Sequence, residues 1–335
     1  MKVSRRGMLA GAAAAGAAGV AGAIGLENRS EAATSGQAGQ AGLAGQAEKA
    51  GQAGQAEQAG QAGQTQQEAV ELTWFGTHAW QIRCGKSVVL TDPWLTRFHT
   101  GTFTPEGADP KTKLVIKPDV IDKHLSTADA ILVHHGHYDH MADVPYVAKQ
   151  TQATVLCTET HANLLRAMKT PDELLSPVRG GEYLPFEGFT IEVFPSLHSC
   201  GGKRHTYAYP GYRYAVPPRP RVIEDLVEGG TLAFVITIGG KRVLSLSTAN
   251  FDPNALRDLQ VDVVLAAPGG EPGITDRLLR TIKPVKKVIA THWDDFDKPL
   301  DEPGIPWTDL TPLRTSVEKT GAEFVVLDHL QKVTL

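Results

Sequence analysis

The sequence predicts an α/β domain in which two β-sheets pack face to face and helices cover their outer faces. Three observations carry this. Short apolar runs cluster as hairpins at 70–75, 79–83 and 87–91, and again at 232–238 and 242–246. After each cluster, strand-length apolar runs alternate with helical stretches, so the chain reads as two similar halves. Sheets with an apolar face must bury it, and two such sheets can bury each other. One apolar run, Ile131-Leu132-Val133, also leads directly into His134-His135-Gly136-His137-Tyr138-Asp139-His140, a cluster that a strand end would present at the edge of a sheet.

On length alone the 335 residues suggest two domains, but the first 69 reduce this to one. Residues 1–33 open with Lys2, Arg5 and Arg6 and continue as an Ala/Gly-rich uncharged stretch to Ile24. Ser4-Arg5-Arg6-Gly7-Met8-Leu9 resembles a twin-arginine export signal. Small residues at Ala21-Gly22-Ala23 and Glu31-Ala32-Ala33 offer two cleavage points. The stretch is weakly apolar for a permanent anchor, so a membrane enters only through this signal if it stays uncleaved. The mature protein is expected in the periplasm or outside the cell. Residues 34–69 are of low complexity, with glycine in phase every third position and Glu48 and Glu57 replacing it twice. A collagen-like helix tolerates no glutamate at its axis and the repeat lacks proline, so this is read as a flexible Gly/Ala/Gln tether. The globular unit is then 70–335, roughly 265 residues, enough for one buried core.

A formal net charge of −4 gives no reason to expect nucleic acid. The three cysteines, Cys84, Cys157 and Cys200, are an odd set for an exported chain, so no disulfide framework carries the fold, and one pair stays open.

The strands at 79–83 and 87–91 are joined by the turn-like Cys84-Gly85-Lys86. An irregular stretch at 93–117 precedes a short helix at 119–125 and the strand that feeds the histidines. Helices are expected at 141–150 and 159–168 around a strand at 154–157, and a strand at 191–195 delivers His198. In the second half a hairpin turns at Gly239-Gly240. A helix at 254–259, a strand at 261–266, a helix at 275–282, a strand at 287–290, a helix at 312–320 and a strand at 323–327 complete the domain.

Core packing does not ask for four histidines and an aspartate within seven positions. Crowded imidazoles compete for partners and repel one another when protonated, whereas neutral imidazoles and a carboxylate are the ligands a zinc-like ion prefers. His135-x-His137 lets two rings close on one ion, and Asp139 and His140 approach from another side, giving one site or two adjacent ones. This His-x-His-x-Asp-His run after an apolar strand resembles the metallo-β-lactamase superfamily. The resemblance implies the αββα sandwich with its metal site at one sheet edge. It also implies His198 as the ligand that completes the first site with His135 and His137. Three imidazoles with one open position describe a catalytic zinc site, with manganese or iron as alternative ions.

Val288-Ile289-Ala290-Thr291-His292-Trp293-Asp294-Asp295-Phe296 is a second match. It is similar to the branch containing L-ascorbate-6-phosphate lactonase and N-acylphosphatidylethanolamine phospholipase D, and implies His292 as the partner of Asp139 and His140 at a second metal. Asp294 or Asp295 either orients an imidazole or forms a solvated acidic turn. Where the family pattern expects a bridging aspartate, aligned near Thr248, the sequence reads Ser247-Thr248-Ala249-Asn250-Phe251-Asp252. The expected outcomes, in order, are one metal only, a second metal held weakly, and a substitute ligand from Thr248, Asn250 or Asp252. Cys200 is a remoter ligand candidate.

Phe75-Gly76-Thr77-His78-Ala79-Trp80 is similar to the Gly-His-Ala opening of the same branch, so His78 either overhangs the metals or sits in a core strand. Asp92, in Asp92-Pro93-Trp94, is expected to fix a turn or a ligand histidine. The segment 201–220 sets Lys203, Arg204, Arg213 and Arg219 among tyrosines. It either caps the site and attracts an anionic small molecule, with Arg204, Tyr207 and Arg213 foremost, or is a solvated loop. The implied function is an exported hydrolase that uses metal-activated water on an ester-like bond, with a lactone or phosphoester favoured. Asp139 serves as proton acceptor, and His78 or Tyr138 assists the oxyanion. The alternative is a metal- and ligand-binding module of the same fold without turnover. Diiron redox chemistry is disfavoured without an accompanying flavin-binding domain.

Overall fold

The computed structural model describes residues 68–200 and 206–335. The signal-like segment 1–33, the tether as far as residue 67 and Arg204 lie outside those residues. The first sheet begins with an antiparallel meander, β1 (Val70–Trp74), β2 (Trp80–Cys84) and β3 (Ser87–Thr91). Helix α1 (Pro118–His124) returns the chain to β4 (Ala130–Leu132), parallel to β3. Helices α2 (Tyr138–Met141) and α3 (Val144–Thr151) lead to β5 (Thr154–Cys157), and α4 (Glu159–Ala167) leads to β6 (Leu175–Pro177), both parallel additions.

The second sheet repeats the plan. Strands β7 (Tyr183–Phe186), β8 (Phe189–Ser196), β9 (Thr231–Ile238) and β10 (Lys241–Ser245) run antiparallel. β11 (Val263–Ala266), α5 (Ile274–Thr281), β12 (Lys287–Ala290), α6 (Thr311–Glu318) and β13 (Glu323–Val325) then extend it in parallel. β14 (Lys332–Thr334) crosses back to pair with β1, so each sheet has seven strands. This is the αββα sandwich.

Alternation along the strands sorts the core into two layers. In β3, Val89 joins Leu72, Ile82, Phe234 and Ile236 between the sheets, while its neighbours Val88 and Leu90 face Ile121, Val147 and Leu164 on the covering helices. The same switch runs through β4, where Leu132 faces the second sheet and Ile131 and Val133 face the helices. A buried strand of this kind carries apolar residues on both faces, which is why these runs lack polar alternation.

Some elements depart from the sequence reading. No helix forms at 254–259: Asp258 adopts a positive φ of 58° and its N–H is drawn away to the Thr281 carbonyl, leaving turns. The short edge strands β6, β7 and β14 escaped notice, two of them because Pro177 and Pro185 weaken a strand signal. All three cysteines are free, so no pair forms. Among the described residues no helix is long and apolar enough to cross a membrane.

Candidate metal centre

The site lies where the ends of β4, β8, β10 and β12 meet. Gly136 lets the loop after β4 pass against the segment before β9: its N–H donates to the Glu228 carbonyl at 2.8 Å, and a Cβ there would collide with the Val227 carbonyl oxygen. That close approach turns His135 and His137 toward His198, which follows β8. Their ring centroids lie 4.7 to 4.9 Å apart, and one ligand nitrogen from each falls within 4.8 Å of the others.

A second set forms beside the first, because α2 begins at Tyr138 and carries Asp139 and His140 on its first turn. Asp139 Oδ2 lies 3.1 Å from His140 Nε2 and 3.2 Å from His292 Nε2. The rings of His135 and His140 are 3.8 Å apart, so the two sets adjoin. His292 holds a left-handed backbone, φ 53°, pinned by its N–H to the Thr77 carbonyl at 2.7 Å and by Trp307 Nε1–H to its own carbonyl at 2.8 Å. Backbone strain of this sort at a non-glycine residue persists where the surroundings fix it, and is concentrated at functional sites.

The far nitrogen of most of these rings has a partner that fixes the near one. His137 Nε2 contacts the Ala208 carbonyl at 2.8 Å, His198 Nδ1 the Ser199 carbonyl at 2.7 Å, and His135 Nδ1 the Ser247 hydroxyl at 3.2 Å. His140 Nδ1 meets Asp92 Oδ2 at 2.7 Å. A carboxylate or carbonyl accepting one N–H leaves the other nitrogen as a free lone pair, the arrangement found behind metal-binding histidines. His140 Nε2 is buried and makes no hydrogen bond, although it faces Asp139. A buried nitrogen whose one close neighbour is the Asp139 carboxylate, aimed into a set of imidazoles, is what a divalent ion would satisfy in place of a proton. The donor set therefore fits such an ion.

The electrostatics agree. Burial and the neighbouring imidazoles hold His135 and His198 below the ordinary histidine range, and His137 falls to about 3. Burial alone would raise Asp139, but His140 and His292 hold it well below the usual carboxylate range. Burial opposes charge on His140 too, yet the Asp139 and Asp92 carboxylates push it up to about 10.

A cavity of about 310 Å³ opens onto both sets. His135, His137, Asp139, His198 and His292 line it, with Ser247, Thr248 and a wall of Phe103, Phe296 and Trp307. Sequence reasoning missed Ser247 and this wall; Ser247 carries no chemical signature, and the aromatic residues come from loops far apart in the chain.

Other candidates fall elsewhere. His78 is fully buried behind the site, bonded to Ser245 Oγ at 2.8 Å and Thr291 Oγ1 at 3.0 Å, and does not line the cavity. Its second role, as a core histidine, is the one the packing supports. Thr248 reaches the cavity but spends its hydroxyl on the Leu197 carbonyl at 3.0 Å. Asn250 Nδ2 donates to the His198 carbonyl, and Asp252 accepts from the Asn254 N–H, so neither side chain turns inward. Tyr207 lies tilted beside His198, ring centroids 5.1 Å apart, whereas Arg213 donates its guanidinium to the Tyr212 carbonyl and does not line the cavity. Tyr138 lines the cavity with its hydroxyl on Thr102 at 2.7 Å. Cys200 places its thiol on the His198 carbonyl at 3.7 Å. Asp294 is buried and orients no ligand histidine: it pairs with Arg97 at 2.7 Å and with His329 at 2.9 Å.

An αββα sandwich with two adjoining His/Asp sets at a sheet edge defines a metal-dependent hydrolase. Residues 88–266 match the family described as the β-lactamase superfamily domain, and the chain belongs to that family. It is 28% identical to a UPF0173 metal-dependent hydrolase of Thermoplasma acidophilum over 235 residues, covering 69% of this chain and 86% of the relative. A Myxococcus xanthus hydrolase of the same group is 28% identical over 231 residues, covering 68% and 71%. Among solved structures, a metallo hydrolase of the archaeon Ignicoccus hospitalis aligns with a TM-score of 0.51 at 18% identity, over 80% of this chain and 98% of that one. The isothiocyanate hydrolase from Delia radicum gut bacteria aligns at 0.52 and 16%, over 79% and 99%. At these identities the structures speak to fold alone.

Proposed function

We propose that this protein is an exported hydrolase that cleaves an ester-like bond, a lactone or phosphoester, in a small molecule, with zinc as the working ion. The observation that carries the metal reading is the convergence of two sets of potential ligand atoms, His135, His137 and His198 beside Asp139, His140 and His292, at a cavity lined by four of these imidazoles and the Asp139 carboxylate. His135, His137 and His198 would hold the first ion; Asp139, His140 and His292 would hold a second, more weakly. Bound there, such an ion supplies Lewis acidity and brings the pKa of water toward neutrality.

The chain's own groups do the rest. Asp139 stands at the cavity and is held ionised by His140 and His292, so it is placed to orient water or accept its proton. Asp92 fixes the His140 tautomer from behind. Export rests on Ser4-Arg5-Arg6 ahead of the uncharged stretch. Total metal analysis of purified protein, alongside His135→Ala, with a panel of lactones, phosphodiesters and β-lactams, tests the proposal. Bound transition metal and turnover, both lost in the variant, are expected; purified protein that takes up no transition metal would sink it.

A further inference from the structure

The proposed hydrolysis leaves the non-reacting part of the substrate undefined, and the cavity walls constrain it. Resting on that reading, we infer that the substrate is an uncharged carboxylic ester or lactone whose apolar, ring-bearing arm packs against the wall of Phe103, Phe296 and Trp307. The rings of Phe103 and Trp307 stack almost parallel, 5.5 Å apart at 6°. Phe296 meets Phe103 edge-on at 4.7 Å and His292 at 5.7 Å, so the wall starts at the ligand set and runs outward. The indole plane is fixed, because Trp307 Nε1–H donates to the His292 carbonyl at 2.8 Å. Phe103 and Trp307 remain 36% and 38% exposed, which leaves a preorganised aromatic surface at the mouth. Ala208, Ala267 and Pro268 add apolar lining to the same cavity.

Charge points the same way. Among the described residues that line the cavity there is no lysine or arginine, and Asp139 is the one carboxylate. Phosphate and carboxylate groups are recognised by guanidinium and ammonium donors, and among the described lining residues a substrate arm carrying one would meet none, leaving only an ion at the reacting end to attract it. A ring in a cleft of this size instead gains apolar burial and edge or face contacts with aromatic neighbours. In the reaction, water adds to the ester carbonyl and the C–O bond to the leaving alcohol breaks. The acid and the alcohol are the products, and the water supplies both the new C–O bond and the proton that the alcohol takes up.

The test separates recognition from chemistry. Metal-loaded protein is titrated calorimetrically with butyranilide and with succinanilic acid, which shares its ring and amide but ends in a carboxylate. Phenyl butyrate, phenyl hydrogen succinate and phenyl phosphate are assayed for turnover in parallel. Butyranilide is expected to bind at least tenfold tighter than succinanilic acid, and Phe103→Ala to weaken it at least fivefold with metal content unchanged. Trp307→Phe, which keeps the stack but removes the N–H, should weaken it less. Equal or tighter binding of the carboxylate, or faster turnover of phenyl phosphate than of phenyl butyrate, overturns the inference while leaving a hydrolase. Selective butyranilide binding with no ester turned over supports the aromatic recognition and overturns the hydrolytic reading instead.

Discussion

Asp92 touches no cavity, yet Asp92→Asn should selectively weaken the second metal set. Its Oδ1 accepts the His134 N–H at 2.8 Å, and its Oδ2 lies 2.7 Å from His140 Nδ1 and 3.0 Å from His134 Nδ1, all fully buried. Asparagine keeps the shape but removes the charge and sets an NH₂ group against one of these donors. If that group faces His140, the imidazole moves its proton to Nε2, the atom aimed at Asp139, and the lone pair needed by an ion disappears. Losing the carboxylate behind a ligand histidine costs about 10- to 100-fold in metal affinity, equivalent to about 1.4–2.7 kcal/mol. The three-histidine set does not touch Asp92 and should keep its affinity. Calorimetric zinc titration of the apo forms reads both events, and far-UV circular dichroism with urea unfolding checks that the variant is folded. Unchanged binding at both sets, or an equal loss at both, refutes the claim that Asp92 acts by holding His140.

Gly136→Ala should destabilise the protein by about 1–3 kcal/mol, read in urea unfolding, because the new methyl group meets the Val227 carbonyl in a packed loop. Metal affinity should fall with it, since His135 and His137 flank that position. The pH dependence of stability should carry the mark of Asp143, whose burial pushes it from 3.8 up to about 6 despite N–H bonds from Leu95 and Thr96. With the folded pKa raised, its contribution is fully present below the unfolded value of 3.8 and is lost as pH rises toward 6. That loss is on the order of 3 kcal/mol. Unfolding free energies from urea titrations at pH 4 and pH 7 should therefore show the protein losing about that much stability relative to Asp143→Asn as pH rises, and parallel pH profiles would refute it. Ser247→Asp places a carboxylate beside His135 at the cavity. It should lower apo stability, because the charge is buried unpaired, and enlarge the rise in unfolding temperature on adding zinc.

The parts of this molecule that were legible in the sequence are those encoded by contiguous residues. Runs such as Ser87–Thr91 and Thr231–Ile238 announce buried strands through β-branched content alone. The seven positions from His134 to His140 point to metal chemistry by crowding, and His198 and His292, each just past a strand, come forward only through the family resemblance. What stayed hidden depends on how segments meet. His78 shares a motif with the opening strand, but Thr77, at φ 49°, bends the chain so that the imidazole turns toward Ser245 and Thr291 instead of the cavity. Asp294 looks like an acidic turn until Arg97, from the irregular stretch after β3, covers it and excludes solvent. Burial would raise its pKa, but Arg97 and His329 hold it well below the ordinary range. The aromatic wall needs residue 103 to meet residue 307, a contact with no local signal.

The missing bridging carboxylate reads differently once the surroundings of each set are known. The three-histidine set is backed by neutral acceptors, the Ser247 hydroxyl and the carbonyls of Ala208 and Ser199. The second set is not short of negative charge: Asp139 faces both of its imidazoles, and Asp92 stands behind His140. Those two carboxylates already hold a proton on His140 up to about 10, so this pocket is arranged around a positive charge before any ion arrives. A divalent ion held by His140 would take the place of that proton, with Asp139 beside it and Asp92 behind the ring. The carboxylate missing near Thr248 thus removes an anion between the sets, while the anions that belong to the second set remain, and the asymmetry would fall on how closely two ions could be tied together.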